Sequence, residues 1–207
     1  MHKDSGSFRD GLVYVGLRPY VLCLVGMKGC GALAWGAADI LAVKYSEMKR
    51  HQTLGDADIT LGLTFAMVGL GCQMGPILWN ACLEPGPRSR FLAVVLAFAK
   101  MAASYALTVV ASDIYSFLFA IFLRCMGSAV VWVYSSLLIQ TEVPTGLQGR
   151  VFTIERAVYV FCEMSSVLLG GYVFAEWHMG VRQVCALMTV ISTALLLAWT
   201  TFYVTVT

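Results

Sequence analysis

Charge is what this chain has least of. Asp, Glu, Lys and Arg together make up 13% of its 207 residues, against roughly 25% in an ordinary soluble domain. A soluble fold of this length would have to cover its surface with polar side chains that the sequence does not hold. A bilayer removes that requirement, because lipid solvates an apolar exterior. The formal net charge is +2, and the basic residues occur as scattered pairs, which argues against nucleic acid as a partner. The seven cysteines (Cys23, Cys30, Cys72, Cys82, Cys125, Cys162 and Cys185) form no CxxC pair. Neither a disulfide framework nor a zinc site is indicated. The start, MHKDSGSFRDGLVYVGLRPY, lacks the short apolar core and small-residue cleavage site of a secretory leader. Also missing are HExxH, GxSxG, a phosphate-binding glycine loop and any cluster of His, Asp and Glu. His2, His51 and His178 fall in the tail and in loops on opposite sides. The expectation is therefore a protein that is not an enzyme and carries no metal or cofactor.

What is present is apolar sequence, 59% of the chain. A membrane-crossing helix needs roughly 20 mostly apolar residues. Six segments qualify: Tyr20 to Val43, Ile59 to Leu83, Phe91 to Ala111, Ile114 to Gln140, Val151 to Ala175 and Val181 to Thr205. The fold class predicted is all-α, a polytopic bundle of six transmembrane helices over residues 20–207, with residues 1–19 as a cytoplasmic lead-in. Within the lead-in, Phe8, Leu12 and Val15 share a helical face, which predicts a short interfacial helix. Asp113, in the turn before the fourth span, is the expected N-cap. The side holding both ends collects Lys3, Arg9, Arg18, Arg88, Arg90 and Arg150. The other collects Lys44, Lys49, Arg50 and Arg182. The bias places both termini in the cytoplasm, with the plasma membrane as the expected location.

Ionisable residues inside spans cost roughly 2.5 to 3.5 kcal/mol on insertion scales and usually face a bundle interior or a wet cavity. Arg124 and Glu163 come at similar depth in adjacent spans, which predicts an Arg124–Glu163 pair, either a fixed helix lock or a proton and substrate site. Lys28 is deep enough in the first span to count with them, unless its stem snorkels to the interface. Asp39 lies near the outer end of that span. Lys100, central in the third span, has no obvious role. Glu155 and Arg156 fall near the start of the fifth span, where Arg150 is close enough to pair with the carboxylate at a helix N-terminus. Trp132 and Tyr134 suit a membrane interface. Gly71 and Gly75 form a small-xxx-small pair for close helix packing, and Gly75-Pro76 predicts a bend or hinge.

Two stretches resemble a known family. The segment VPTGLQGRVFTIERAVYVFCEMSSVLLGG, through Pro144, Gly149-Arg150, Val151-Phe152 and Gly170-Gly171, is similar to the loop between the tenth and eleventh helices of major facilitator superfamily transporters and the helix after it. LRCMGSAVVWVYSSLLIQ resembles the helix before that loop, and FRDGLVYVGLRP the linker into the seventh helix. The closest likeness is to exporters of siderophores and drugs. EPGPRSR matches the corresponding basic loop only at Gly86, Arg88 and Arg90. The resemblance implies half of a major facilitator fold, secondary transport of a small molecule by proton-coupled export, and a cytoplasmic gate containing Arg150, Glu155, Arg156, Arg88 and Arg90. The ionisable residues inside the spans, Glu163, Arg124, Lys28 and Asp39, are the expected proton and substrate pathway. The partners implied are the lipid bilayer, a small-molecule substrate and a second six-helix half or homodimer. A non-transporting scaffold or a truncated fragment is the alternative.

Overall fold

A computed structural model describes residues 8–82 and 86–206. Within them the chain is helical throughout: α1 (Phe8–Gly16), α2 (Pro19–Trp35), α3 (Ala38–Ser46), α4 (Ala57–Cys82), α5 (Pro87–Val110), α6 (Ile114–Glu142), α7 (Thr145–Ala175) and α8 (Val181–Val206), with a 3-10 turn at Lys49–His51. Six spans are long and apolar enough to cross a membrane, α2 and α3 together forming the first. The protein is an integral, multi-pass membrane protein. Residues 1–7, with Lys3, and the predicted end of the second span at Leu83 lie outside the described residues.

Asp113 caps α6 as expected. Its carboxylate accepts from the Ser116 backbone N–H at 2.9 Å and from the Ser116 hydroxyl at 2.8 Å. These hydrogen bonds hold the exposed carboxyl below the usual Asp range. The interfacial helix is present as α1, but the face it buries carries Gly11 and Val15, while Phe8 and Leu12 are exposed. A Cβ built on Gly11 would lie 2.8 Å from the Arg150 Cβ, so α1 rests directly on the head of α7.

The fifth span begins earlier than the sequence pattern suggests, at Thr145 rather than Val151. Val143 is extended, Pro144 sits at the N-cap of α7, and the helix starts at once. Gln148 Nε2 donates to the Gln140 and Val143 carbonyls, both at 3.0 Å, and ties the end of α6 to the first turn of α7. Six residues expected in a loop are helical.

The first span is broken at Gly36-Ala37. In hydrocarbon every freed backbone group needs a partner. Two carbonyls ahead of the break have them: Leu33 accepts from Ser166 Oγ at 3.0 Å and Ala34 from Tyr105 Oη at 2.6 Å. Small residues of α7 receive the kink. A Cβ at Gly36 would meet the Ser166 side chain at 2.7 Å, and one at Gly170 would meet the Ala37 Cβ at 2.8 Å.

The helices pack in two layers. In front, α4 packs on α6, α6 on α2 and α2 on α7; behind, α5 packs on α6 and α8. The α4–α6 contact is the close approach expected of the small-xxx-small pair. A Cβ on Gly71 would fall 2.6 Å from the Phe122 carbonyl oxygen, and one on Gly75 2.4 Å from that of Met126. Pro76 lies inside α4, which is one helix from Ala57 to Cys82. Outside the spans, His51 is fully buried against Tyr45 and Phe117. Burial, then the adjacent Arg50 guanidinium, lowers its pKa, and Arg50 Nε donates to its Nε2 at 3.0 Å.

Gly75→Ala forces a methyl group into the Met126 backbone, so it destabilises the folded protein by about 1–3 kcal/mol, the usual cost of overpacking. Gly62→Ala, which meets nothing within 4 Å, leaves stability unchanged or slightly raised. Thermal unfolding in detergent compares the two.

Candidate functional site

At about 1.5 Å rise per residue, Lys28 lies about 14 Å from the start of α2, Glu155 about 15 Å from the start of α7, and Trp132 about 15 Å from the end of α6. All three helix ends are on one side of the bundle, so the three side chains meet near the middle of a hydrocarbon core roughly 30 Å thick. Lys28 Nζ is 2.9 Å from Glu155 Oε1, with side chains only 6% and 3% exposed. Two further contacts complete the ammonium's surroundings. It donates to Ser136 Oγ at 2.9 Å and lies 4.4 Å from the centroid of the Trp132 ring. The Ser136 hydroxyl in turn donates a hydrogen bond to the Trp132 carbonyl. A buried cation needs such compensation, because an ion in hydrocarbon without a counter-charge forfeits most of its solvation energy.

The cluster continues along α7. The Arg156 guanidinium lies 4.8 Å from the Tyr159 ring centroid and 5.7 Å from that of Trp132, within cation–π range. Tyr159 meets Trp132 edge-on at 4.9 Å and donates its hydroxyl proton to Glu163. Trp132, 37% exposed, faces a cavity of about 320 Å³ lined also by Trp35, Cys72, Ser128, Ala129 and Val133. A charged, hydrogen-bonded wall thus borders an aromatic, mostly apolar cavity at mid-depth.

The Arg124–Glu163 pair does not form. Depth is not the reason, since each lies 18 residues from the α6–α7 turn. Rather, α7 packs on α2 and touches α6 little, so consecutive spans are not neighbours. Arg124 is buried among Tyr105, Cys125 and Cys72, with the Asp39 carboxylate acting on it from beyond ion-pair distance. Its Nε has no hydrogen-bond partner. Glu155 pairs with Lys28 and not with Arg150, because the early start of α7 carries Glu155 into the third turn. Lys28 does not snorkel, and Trp132 is not interfacial. Of the expected cytoplasmic gate, Glu155 and Arg156 belong to the mid-depth cluster. Arg150 lies under α1. Arg88 donates to Tyr203 Oη at 3.4 Å, and Arg90 sits in the first turn of α5. Lys100 lies 5.5 Å from the Trp79 ring centroid, which gives that unexplained cation a partner. Among the described residues no group of three or more His, Cys, Asp or Glu is placed to hold a metal ion.

The sequence signal that could have located the true pair was helical phase. Ser136 is one turn from Trp132, so an aromatic and a hydroxyl share the face of α6 that receives Lys28.

Removing one partner of a buried pair leaves the other uncompensated, at a cost of about 3–5 kcal/mol. Glu155→Met and Lys28→Met each lower stability by that order, and the double variant recovers most of the loss. A thermal-unfolding double-mutant cycle measures the coupling.

Comparison with known proteins finds no family model and no curated protein that matches this chain.

Proposed function

We propose that the chain is one six-helix half of a secondary transporter of the major facilitator type, its front layer forming one wall of a substrate path. The observation that carries this reading is the Lys28–Glu155 pair beside Trp132 and Arg156, held at mid-depth on the edge of a cavity. Charges at that depth are costly and usually border a substrate, ion or proton path. In carriers built of two halves the site lies near the midplane, between the halves. The layered packing fits: α4, α6, α2 and α7 stand side by side, and α4 and α7 are the least buried spans of the bundle, at 17% and 22%. The other half comes from a second copy or from a separate chain.

Glu155 is the proton-carrying group of this mechanism. With the carboxylate ionised, Lys28 is neutralised and the wall is locked to α2. Protonation of Glu155 releases the ammonium toward Trp132 and Ser136, and the cavity then presents a free cation to the substrate. Glu163, bonded to Tyr159, relays protons along the same face of α7. Export driven by proton entry is the direction this reading takes from the likeness to exporters.

In proteoliposomes containing the purified chain, a panel of small organic cations, anions and neutral compounds tests this. At least one compound collapses an imposed pH gradient through the unaltered protein and fails to do so through Glu155→Gln. Should no compound move protons through correctly folded protein, a carrier made of two copies is excluded, and the chain either needs a separate second half or is a non-transporting membrane scaffold.

A further inference from the structure

The tight α4–α6 contact brings together two cysteines that are 53 positions apart in sequence. Gly71 places the α4 backbone against the Cys125 side chain: a Cβ built there would be 2.8 Å from the Cys125 Cβ. Its neighbour Cys72 lies at the same interface, beside Ser128 and Ala129 of α6, within hydrogen-bonding reach of the Cys125 thiol. Cys72 also lines the cavity below Trp132, whereas Cys125 is buried. Beside both sulfurs lies Arg124, whose charge acts on each of them. It is 7% exposed, lacks an ion-pair partner among the described residues, and leaves Nε unpartnered.

Each of these facts constrains the ligand. Two sulfurs and, among the described residues, no third ligand of the His, Cys, Asp or Glu type suit a soft ion that accepts two-coordinate geometry, and thiolates select such ions. A tetrahedral zinc site needs four ligands, at least three of them from protein. Charge narrows the choice further. A guanidinium buried without a counter-ion is costly. A monovalent metal held by two thiolates carries one negative charge, which Arg124 balances.

We propose that Cys72 and Cys125 form a two-sulfur site for a monovalent soft metal ion, copper(I) or silver(I), entered from the cavity and charge-balanced by Arg124. Binding is an exchange: two S–H bonds break, two metal–sulfur bonds form, and two protons leave through the cavity to water. No electron is transferred. The site stands on its own geometry and does not depend on the transport reading, because it is read as binding to purified protein.

The test is titration of the full-length chain in detergent with silver(I), and with copper(I) held by a competing chelator. One high-affinity ion per chain is expected, with two protons released per ion near neutral pH. Cys72→Ser and Cys125→Ser each weaken binding by at least 100-fold, while Cys30→Ser and Cys162→Ser leave it within about twofold. Arg124→Gln weakens it and Arg124→Lys restores part of the loss. A second measurement needs no variant: silver(I) protects Cys72 from alkylation by N-ethylmaleimide, while exposed Cys82 stays reactive. Retained affinity in Cys72→Ser, or labelling of Cys72 unaffected by bound silver, would overturn the proposal.

Discussion

Everything in this bundle is arranged around the cost of charge in hydrocarbon. A lysine and a glutamate, on the first and fifth spans, are buried at the same depth and 2.9 Å apart. Either one alone would be expelled or neutralised; together they fix α7 against α2. Trp132 and Ser136 of α6 take up the ammonium's remaining contacts, so one ion pair holds three helices in register. Because α7 is committed to α2, it is not available to α6, its neighbour in sequence. The cavity in front of Trp132 lies between α2, α4 and α6, lined by Trp35, Cys72 and Ser128 among others.

The backbone obeys the same constraint. Breaking the first span at Gly36-Ala37 exposes carbonyls that lipid cannot satisfy, and side chains of α7 and α5 satisfy them. Small residues then allow the close approaches on which this depends: Gly29 and Gly170 between α2, α3 and α7, and Gly71 and Gly75 between α4 and α6. Packing in lipid gains little from hydrophobic burial, so interhelical hydrogen bonds and close van der Waals contact carry the association. The same close α4–α6 approach sets Cys72 beside Cys125.

Composition and apolar run length made the six spans legible before any coordinates, and the Asp113 cap and the Gly71–Gly75 contact followed from local rules. The residues of the site were legible too: Lys28, Glu155 and Arg156 stand out as charges among apolar neighbours. Their partners were not. Pairing Arg124 with Glu163 rested on equal depth, which is correct, and on adjacency in sequence, which does not imply adjacency in a bundle. Which helix faces which is decided by tertiary packing that no single span encodes. The start of α7 was missed because Pro144 and two glycines look like a loop, although proline at an N-cap leaves the next residue free to begin a helix. Trp132 was assigned to an interface because aromatic belts are the common case, and only the position of α2 shows what it faces.

The central claim is that the mid-depth charges border water and not lipid. In a chain whose native cysteines are serine, single cysteines at Trp132, Arg156 and Val190 are treated with a charged, membrane-impermeant thiol reagent. Val190 is an exposed apolar residue at comparable depth on α8, the position expected to face lipid. Rapid labelling at 132 and 156 with none at 190 is the predicted result. If 132 and 156 stay as unreactive as 190, no aqueous path reaches the Lys28–Glu155 pair, and that pair is a structural lock alone.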